Sequence, residues 1–241
     1  MGLKILHLHL HGLIRSNNLE LGRDPDTGGQ TQYVLELVKS LANTAEVDRV
    51  DLVTRLIKDK KVNEIYSLTN EFIELGARIL RFPFGPEKYL RKELLWPYLD
   101  QLIEKLAEFY SKSNNKPDWI HAHYADAGYV GVRLSNILNV PLVFTSHSLG
   151  REKKRKLLES GLSIKQIEKT YCISKRIQAE EEALDKSSMV VTSTKQEIEY
   201  QYSDYRFFNP LKATVISPGV DHKRFHHIHS TTETSEIDHL V

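Results

Sequence analysis

Lys4-Ile5-Leu6-His7-Leu8-His9-Leu10 is a short apolar run that empties into a polar stretch containing Gly12, Gly22, Pro25, Gly28 and Gly29. Beyond it, Tyr33, Val34, Leu37, Val38 and Leu41 recur at helical spacing, so the loop delivers the chain into an amphipathic helix. Outward from this strand-loop-helix opening, strand-length apolar runs return at 50–54, 78–82, 119–123, 142–145, 189–192 and 214–216. Helical patterns at 94–109, 127–138, 164–183 and 194–202 lie between several of them. Alternating strands and helices predict a parallel sheet covered on both faces. The unbroken runs Leu142-Val143-Phe144 and Met189-Val190-Val191 fit strands buried on both sides. The expected fold class is therefore α/β, a doubly wound parallel sheet, with ligands beyond the carboxyl ends of the strands.

A length of 241 residues suits one domain better than two. Lys plus Arg number 33 and Asp plus Glu 32, so nothing in the net charge of +1 calls for nucleic acid or an acidic membrane as partner. With 40% hydrophobic and 27% charged residues, the composition excludes the disordered and transmembrane classes. Cys172 stands alone, which rules out an intrachain disulfide and a cysteine-built zinc site; it is expected to be a buried, inert thiol. A reducing compartment follows, and Met1 to Leu13 does not read as a secretory signal, so a cytoplasmic location is expected. One domain is expected over 1–225, followed at 226–241 by a polar tail or severed interdomain linker.

Three groups of residues could carry chemistry. Asp24-Pro25-Asp26-Thr27-Gly28-Gly29-Gln30 sits before the first helix; adjacent glycines allow positive φ and close approach of a ligand, although a plain loop closing onto a helix reads equally well. Thr145-Ser146-His147-Ser148-Leu149-Gly150 follows a strand and leads into Arg151-Glu152-Lys153-Lys154-Arg155-Lys156, five cations in six residues. These fit either a phosphate-ester site or a solvated basic helix face, and Arg176, read as facing the polar side of the 164–183 helix, could converge on the same anion. His7, His9 and His11 alternate on one face, and His121 and His123 repeat the spacing; they read as core or cleft histidines or, less economically, as zinc ligands. His226, His227 and His229 carry less weight still.

His11-Gly12-Leu13-Ile14-Arg15, Asp26-Thr27-Gly28-Gly29-Gln30, Phe82-Pro83-Phe84-Gly85, Lys92-Glu93, His121-Ala122-His123-Tyr124-Ala125-Asp126, Thr145-Ser146-His147-Ser148-Leu149-Gly150-Arg151 and Ser217-Pro218-Gly219-Val220-Asp221 occur in that order. Together they resemble the N-terminal domain of the sucrose synthase and sucrose-phosphate synthase group of retaining glycosyltransferases. The likeness runs from Met1 to about Phe225. It implies a Rossmann-like sheet forming the N-terminal half of a glycosyltransferase-B fold. The implied activity is glucose transfer from UDP-glucose to fructose 6-phosphate, with no cofactor or metal required in the site.

By the same resemblance, this half binds the acceptor and a C-terminal domain binds UDP-glucose. Gly28, Gly29 and Gln30 would line the reaction centre, and Lys92, Tyr124 and Asp126 would bind fructose hydroxyls. His147 would contact the transferred glucose and stabilise charge on its ring, while Lys153 and Arg176 would grip the phosphate. The Ser-Leu-Gly-Arg-Glu-Lys stretch after His147 looks like the phosphate-using branch. The group's donor half carries two glutamates with seven residues between them, a spacing no two glutamates have here. The chain therefore reads as the acceptor-binding half, expected to be inactive alone. The alternatives are a sucrose synthase using free fructose, a non-catalytic sugar-phosphate binding module, and, third, a zinc hydrolase built on the paired histidines.

Overall fold

The computed structural model describes residues 2–111 and 116–219. Its strands are β1 (Leu3–Leu8), β2 (Val47–Arg55), β3 (Asn70–Glu74), β4 (Ala77–Phe82), β5 (Trp119–His123), β6 (Leu142–Thr145), β7 (Met189–Thr192) and β8 (Ala213–Val215). Its helices are α1 (Gly29–Ala42), α2 (Leu99–Ser111), α3 (Ala125–Leu138), α4 (Gly150–Glu159), α5 (Ile164–Tyr171), α6 (Ile173–Lys186) and α7 (Lys195–Tyr200). The strands form one sheet in the order β3-β4-β2-β1-β5-β6-β7-β8. Every neighbouring pair is parallel except β3 with β4.

Period-two alternation along the strands sends side chains to two separate cores. Leu6 and Leu8 of β1 pack with Ile120, Phe144 and Val190 beneath α2, α3 and α6. Ile5 packs the other way, with Val50, Leu52 and Ile79 beneath Val34, Leu35 and Val38 of α1. Helix α3 lies unusually close to its neighbours: a Cβ added at Gly128 would come within 2.9 Å of Phe144 and 3.1 Å of Ala183.

Four expectations from the sequence need correction. β3 is antiparallel and is absent from the sequence reading; its burial is inverted relative to its chemistry, with Glu71 buried and Phe72 70% exposed, so no apolar alternation marks it. The 164–183 pattern is two helices, broken at Cys172, which takes left-handed backbone (φ 47°) although it is neither Gly nor Asn. Its thiol is only partly buried, 3.7 Å from the Glu93 carbonyl oxygen, rather than sealed in the core. The 94–109 pattern begins with two 3-10 turns, at Lys92–Leu94 and Trp96–Tyr98, and becomes α-helical only at Leu99, after Pro97. Val220, Asp221, Phe225 and the 226–241 tail with its histidines lie outside the described residues. Among the described residues no helix is long and apolar enough to cross a membrane.

Candidate functional site

The strand order reverses at β1: α1 leads the chain to β2 on one side, and the later strands add on the other, starting with β5. Open sheets bind ligands at such a switch point, beyond the carboxyl ends of the strands. His9 and His11 follow β1 here, Tyr124 and Asp126 follow β5, and His147 follows β6. His11 Nδ1 donates to Asp126 Oδ2 at 2.8 Å, tying the β1 and β5 loops together across the crevice. The backbone is strained at these strand ends. Tyr124 adopts φ 80°, ψ 169°, a region used almost only by glycine, and His147 has φ 56°.

The Asp24–Gln30 loop is built by its own side chains. Asp24 Oδ1 accepts from the Asp26 and Thr27 amides at 2.9 and 3.1 Å and from the Tyr89 hydroxyl at 2.8 Å. Asp26 accepts from the Lys92 amide at 2.8 Å and pairs with the Lys92 ammonium. Burial alone would raise the Asp26 pKa, but the hydrogen bonds and charge of Lys92 outweigh it and hold the carboxyl below its usual range. Gly12, at φ 75°, lets this loop cross against it: a Cβ there would overlap the Asp26 carbonyl oxygen. Gly28 and Gly29 do not take positive φ, contrary to the expectation. Their role is openness, since nothing lies within 4 Å of where either Cβ would stand. Helix α1 starts there without a side-chain cap.

Lys92, Tyr124, Asp126, Lys153 and Arg176 line one small cavity together with Glu93, Trp96 and Tyr171. Its volume is about 10 Å³, room for roughly one water. Arg176 does not face the polar side of a helix, as the sequence suggested, but is buried. Its Nε donates to Glu180 Oε1 at 2.8 Å, and one Nη donates to the Ser148 carbonyl at 2.8 Å and hydroxyl at 3.0 Å. The guanidinium lies 4.5 Å from the centre of the Tyr124 ring. Glu180 accepts further from the Gly150 amide and the Tyr205 hydroxyl; its burial nevertheless raises the carboxyl pKa. The sequence reading assigns Glu180 no role, although the (i, i+4) spacing from Arg176 is the signal that finds it. Lys153 sits 4.1 Å from the Tyr171 ring centre; burial first, then the charges of Arg176 and Lys92, lower its pKa to about 8. Of the neighbouring cations, Arg151 pairs with Glu181, and Arg155 and Lys156 with Glu152, so most of that cluster is a salt-bridged surface.

Gly29, Gln30, Tyr33 and His147 line a second, larger hollow of about 330 Å³, with Ser193 and Pro218 also in its wall. Gln30 reaches His9 Nδ1 at 3.0 Å. Burial, and next the proximity of His11, lower the His147 imidazole pKa to about 3, so the ring is neutral. Between the β1 and β5 loops, the His11 ring centre is 4.6 Å from that of Tyr124 and 5.4 Å from that of His9. His7, His9 and His11 go to three different partners, His123, Gln30 and Asp126, instead of one shared point.

A family model described as the first GT-B domain of sucrose synthase matches residues 2–222. The chain belongs to this family. A probable sucrose-phosphate synthase 1 from Craterostigma plantagineum is 42% identical over 94% of the chain and 26% of that protein's length. Sucrose-phosphate synthase 4 from Arabidopsis thaliana is 44% identical over 86% of the chain and 22% of its own length. The chain thus spans about a quarter of the length of these relatives. Among solved structures, a sucrose-phosphate synthase from Thermosynechococcus elongatus superposes with a TM-score of 0.75 at 22% identity, covering 98% of this chain and 52% of that one. Anabaena HepE in complex with UDP-glucose superposes at 0.55 with 16% identity, covering 99% of this chain and 49% of that one. Both share the fold. Within this sucrose synthase-family domain, the doubly wound sheet is therefore a glycosyltransferase-B half, with its crevice at the β1/β5 switch point.

Proposed function

We propose that this domain is the acceptor-binding half of a sucrose-phosphate synthase, which transfers glucose from UDP-glucose to fructose 6-phosphate with retention. The observation that carries the reading is the convergence of Lys153, Arg176 and Lys92 on one cavity beside the Gly29–His147 hollow. Two cations and a lysine latch in one place suit a phosphate dianion, which takes charge-assisted hydrogen bonds best. The plant relatives that carry the sucrose-phosphate synthase name support the same assignment.

In this reading Lys153 and Arg176 hold the acceptor phosphate, and Lys92, Tyr124 and Asp126 hold the fructose hydroxyls. Gly28, Gly29 and Gln30 face the reaction centre with the uncapped start of α1, where backbone amides suit an anionic oxygen of donor or acceptor. His147 contacts the transferred glucose. UDP-glucose comes from the second half of the enzyme. The cation-lined cavity holds one water as it stands, so the acceptor enters by displacing side chains; Lys153, on a flexible stem, is the one best able to move.

Calorimetric titration of the chain with fructose 6-phosphate and with fructose tests this. The phosphate is expected to add about 10- to 150-fold in affinity, the worth of one charge-assisted bond of roughly 1.5–3 kcal/mol. Trp96 lines the cavity, so binding is also expected to change intrinsic fluorescence, to which the only other tryptophan is Trp119. Equal affinity for the two sugars would sink the phosphate assignment.

A further inference from the structure

Three imidazoles lie end to end behind the larger hollow. His147 Nε2 is 2.9 Å from His123 Nδ1, and His123 Nε2 is 2.9 Å from His7 Nδ1. Ring centres are 5.2 Å apart in both pairs, which with a 2.9 Å nitrogen-nitrogen contact leaves room only for the two ring radii. The rings therefore meet edge to edge, 11° from coplanar at His7–His123 and 34° at His123–His147. At the inner end His7 Nε2 is buried and has no hydrogen-bond partner among the described residues. At the outer end the His147 ring lines the hollow.

A neutral imidazole carries one N–H, so each of these bonds fixes the tautomer of the next ring, and the chain has only two polarities. In one, His7 and His123 both donate from Nδ1, and His147 is left with its proton on Nδ1. In the other, every ring is reversed and His7 keeps an N–H on Nε2, buried with nothing to accept it. An orphaned buried donor is the rarer and more costly defect, so the first polarity prevails. All three rings are neutral, because burial lowers the pKa of each.

We propose that His7 and His123 are positioning residues that lock His147 in its Nδ1–H tautomer, presenting a fixed hydrogen-bond donor to an acceptor oxygen of the ligand in the hollow. The chain also denies His147 acid-base work. A proton released from His147 Nδ1 would have to be replaced through His123 from His7, leaving His7 an imidazolate with no proton source behind it. His147 would thus recognise an oxygen lone pair and not stabilise positive charge. Ligand nitrogens of His7, His121 and His123 lie within 4.8 Å of one another, as a metal site requires. Yet His7 Nδ1 and His123 Nε2 are bonded to each other, and His121 Nε2 is 2.9 Å from the Thr145 hydroxyl. A cation there would have to break the chain.

The role toward the ligand rests on the proposed reading of the hollow, whereas the tautomer does not. The test is a long-range proton-nitrogen NMR spectrum of the 241-residue chain carrying labelled histidine, with and without added zinc. Expected are a protonated Nδ1 and bare Nε2 on His147, a bare Nε2 on His7, and no displacement of these signals by zinc. In His7→Asp, whose carboxylate can only accept from His123 Nε2, the polarity is expected to reverse and place the His147 proton on Nε2. A protonated Nε2 on His147 in the unmodified chain, zinc binding to His7 and His123, or an unchanged His147 in a folded His7→Asp would each overturn the lock. If His7→Asp does not fold, the spectrum of the unmodified chain still decides. Failure to bind fructose 6-phosphate with the tautomer as expected would count against the functional reading alone.

Discussion

Lys153 and Arg176 look equivalent as phosphate ligands but differ in what else they hold. Among the described residues the Lys153 ammonium lies over the face of Tyr171 and has no ion-pair partner, so Lys153→Ala is expected to weaken fructose 6-phosphate binding by about 10- to 150-fold with little change in fructose binding or stability. Arg176 neutralises the buried Glu180, and its removal strands that carboxylate, so Arg176→Ala is expected to destabilise the fold by about 3–5 kcal/mol. Thermal melts of the two variants separate the roles; equal melting temperatures would show that the Arg176–Glu180 pair carries no structural weight. The Lys153 pKa of about 8 also sets a pH dependence. Its ammonium is charged below that value and lost above it, while a phosphate monoester becomes a dianion above about pH 6. Affinity for fructose 6-phosphate is therefore expected to peak between about pH 6 and 8 and to fall at higher pH, with proton uptake on binding near pH 8. Calorimetry in buffers of different ionisation heat reads that uptake directly, and Lys153→Ala should abolish it.

At the scale of elements, the loop before α1 depends on two contacts that distant segments supply: Gly12 beneath it and Lys92 across it. Gly12→Ala meets both a positive φ and the Asp26 backbone, and is expected to lower stability by more than about 1 kcal/mol in denaturant unfolding, since such sites exceed the ordinary glycine effect. The Asp26 carboxyl is held below its usual range, so its contribution is present above the unfolded pKa of about 4 and disappears as pH falls through the lower folded value. Asp26→Asn is expected to lose stability at neutral pH and to flatten the acid limb of the stability curve; an unaltered limb would mean the latch is unimportant. Most elements were legible because apolar spacing marks a helix that buries one face, as α1 does, and an unbroken apolar run marks a strand covered on both, as in β6. The exceptions have physical causes. Apolar residues continue on both sides of Cys172, at Ile164, Ile167, Ile173 and Ile177, with no Gly or Pro between them, and the left-handed turn falls on a residue that does not advertise it. β3 exists to pair with β4 and to deliver Glu71 to the buried Arg81, a contact no local pattern encodes.

For the whole molecule, topology turns separate motifs into a site. Loop motifs after β1, β5 and β6 were readable one by one, and strand order brings them to a single edge. The pairing of His11 with Asp126, 115 residues apart, and the end-to-end line of His7, His123 and His147 were not readable, because both depend on which strands lie side by side. The same topology limits what this domain can do by itself. Glycosyl transfer needs donor and acceptor held in near-attack geometry, and the matched family model describes only the first of the two GT-B domains. The chain is accordingly expected to bind fructose 6-phosphate while forming no sucrose 6-phosphate from UDP-glucose, a combination that calorimetry and product chromatography on the same sample can establish. Binding without turnover fits an acceptor half. Product formation by the chain alone would mean that the Gly29–His147 hollow also accommodates the nucleotide sugar, and the division of labour proposed for the two halves would have to be redrawn.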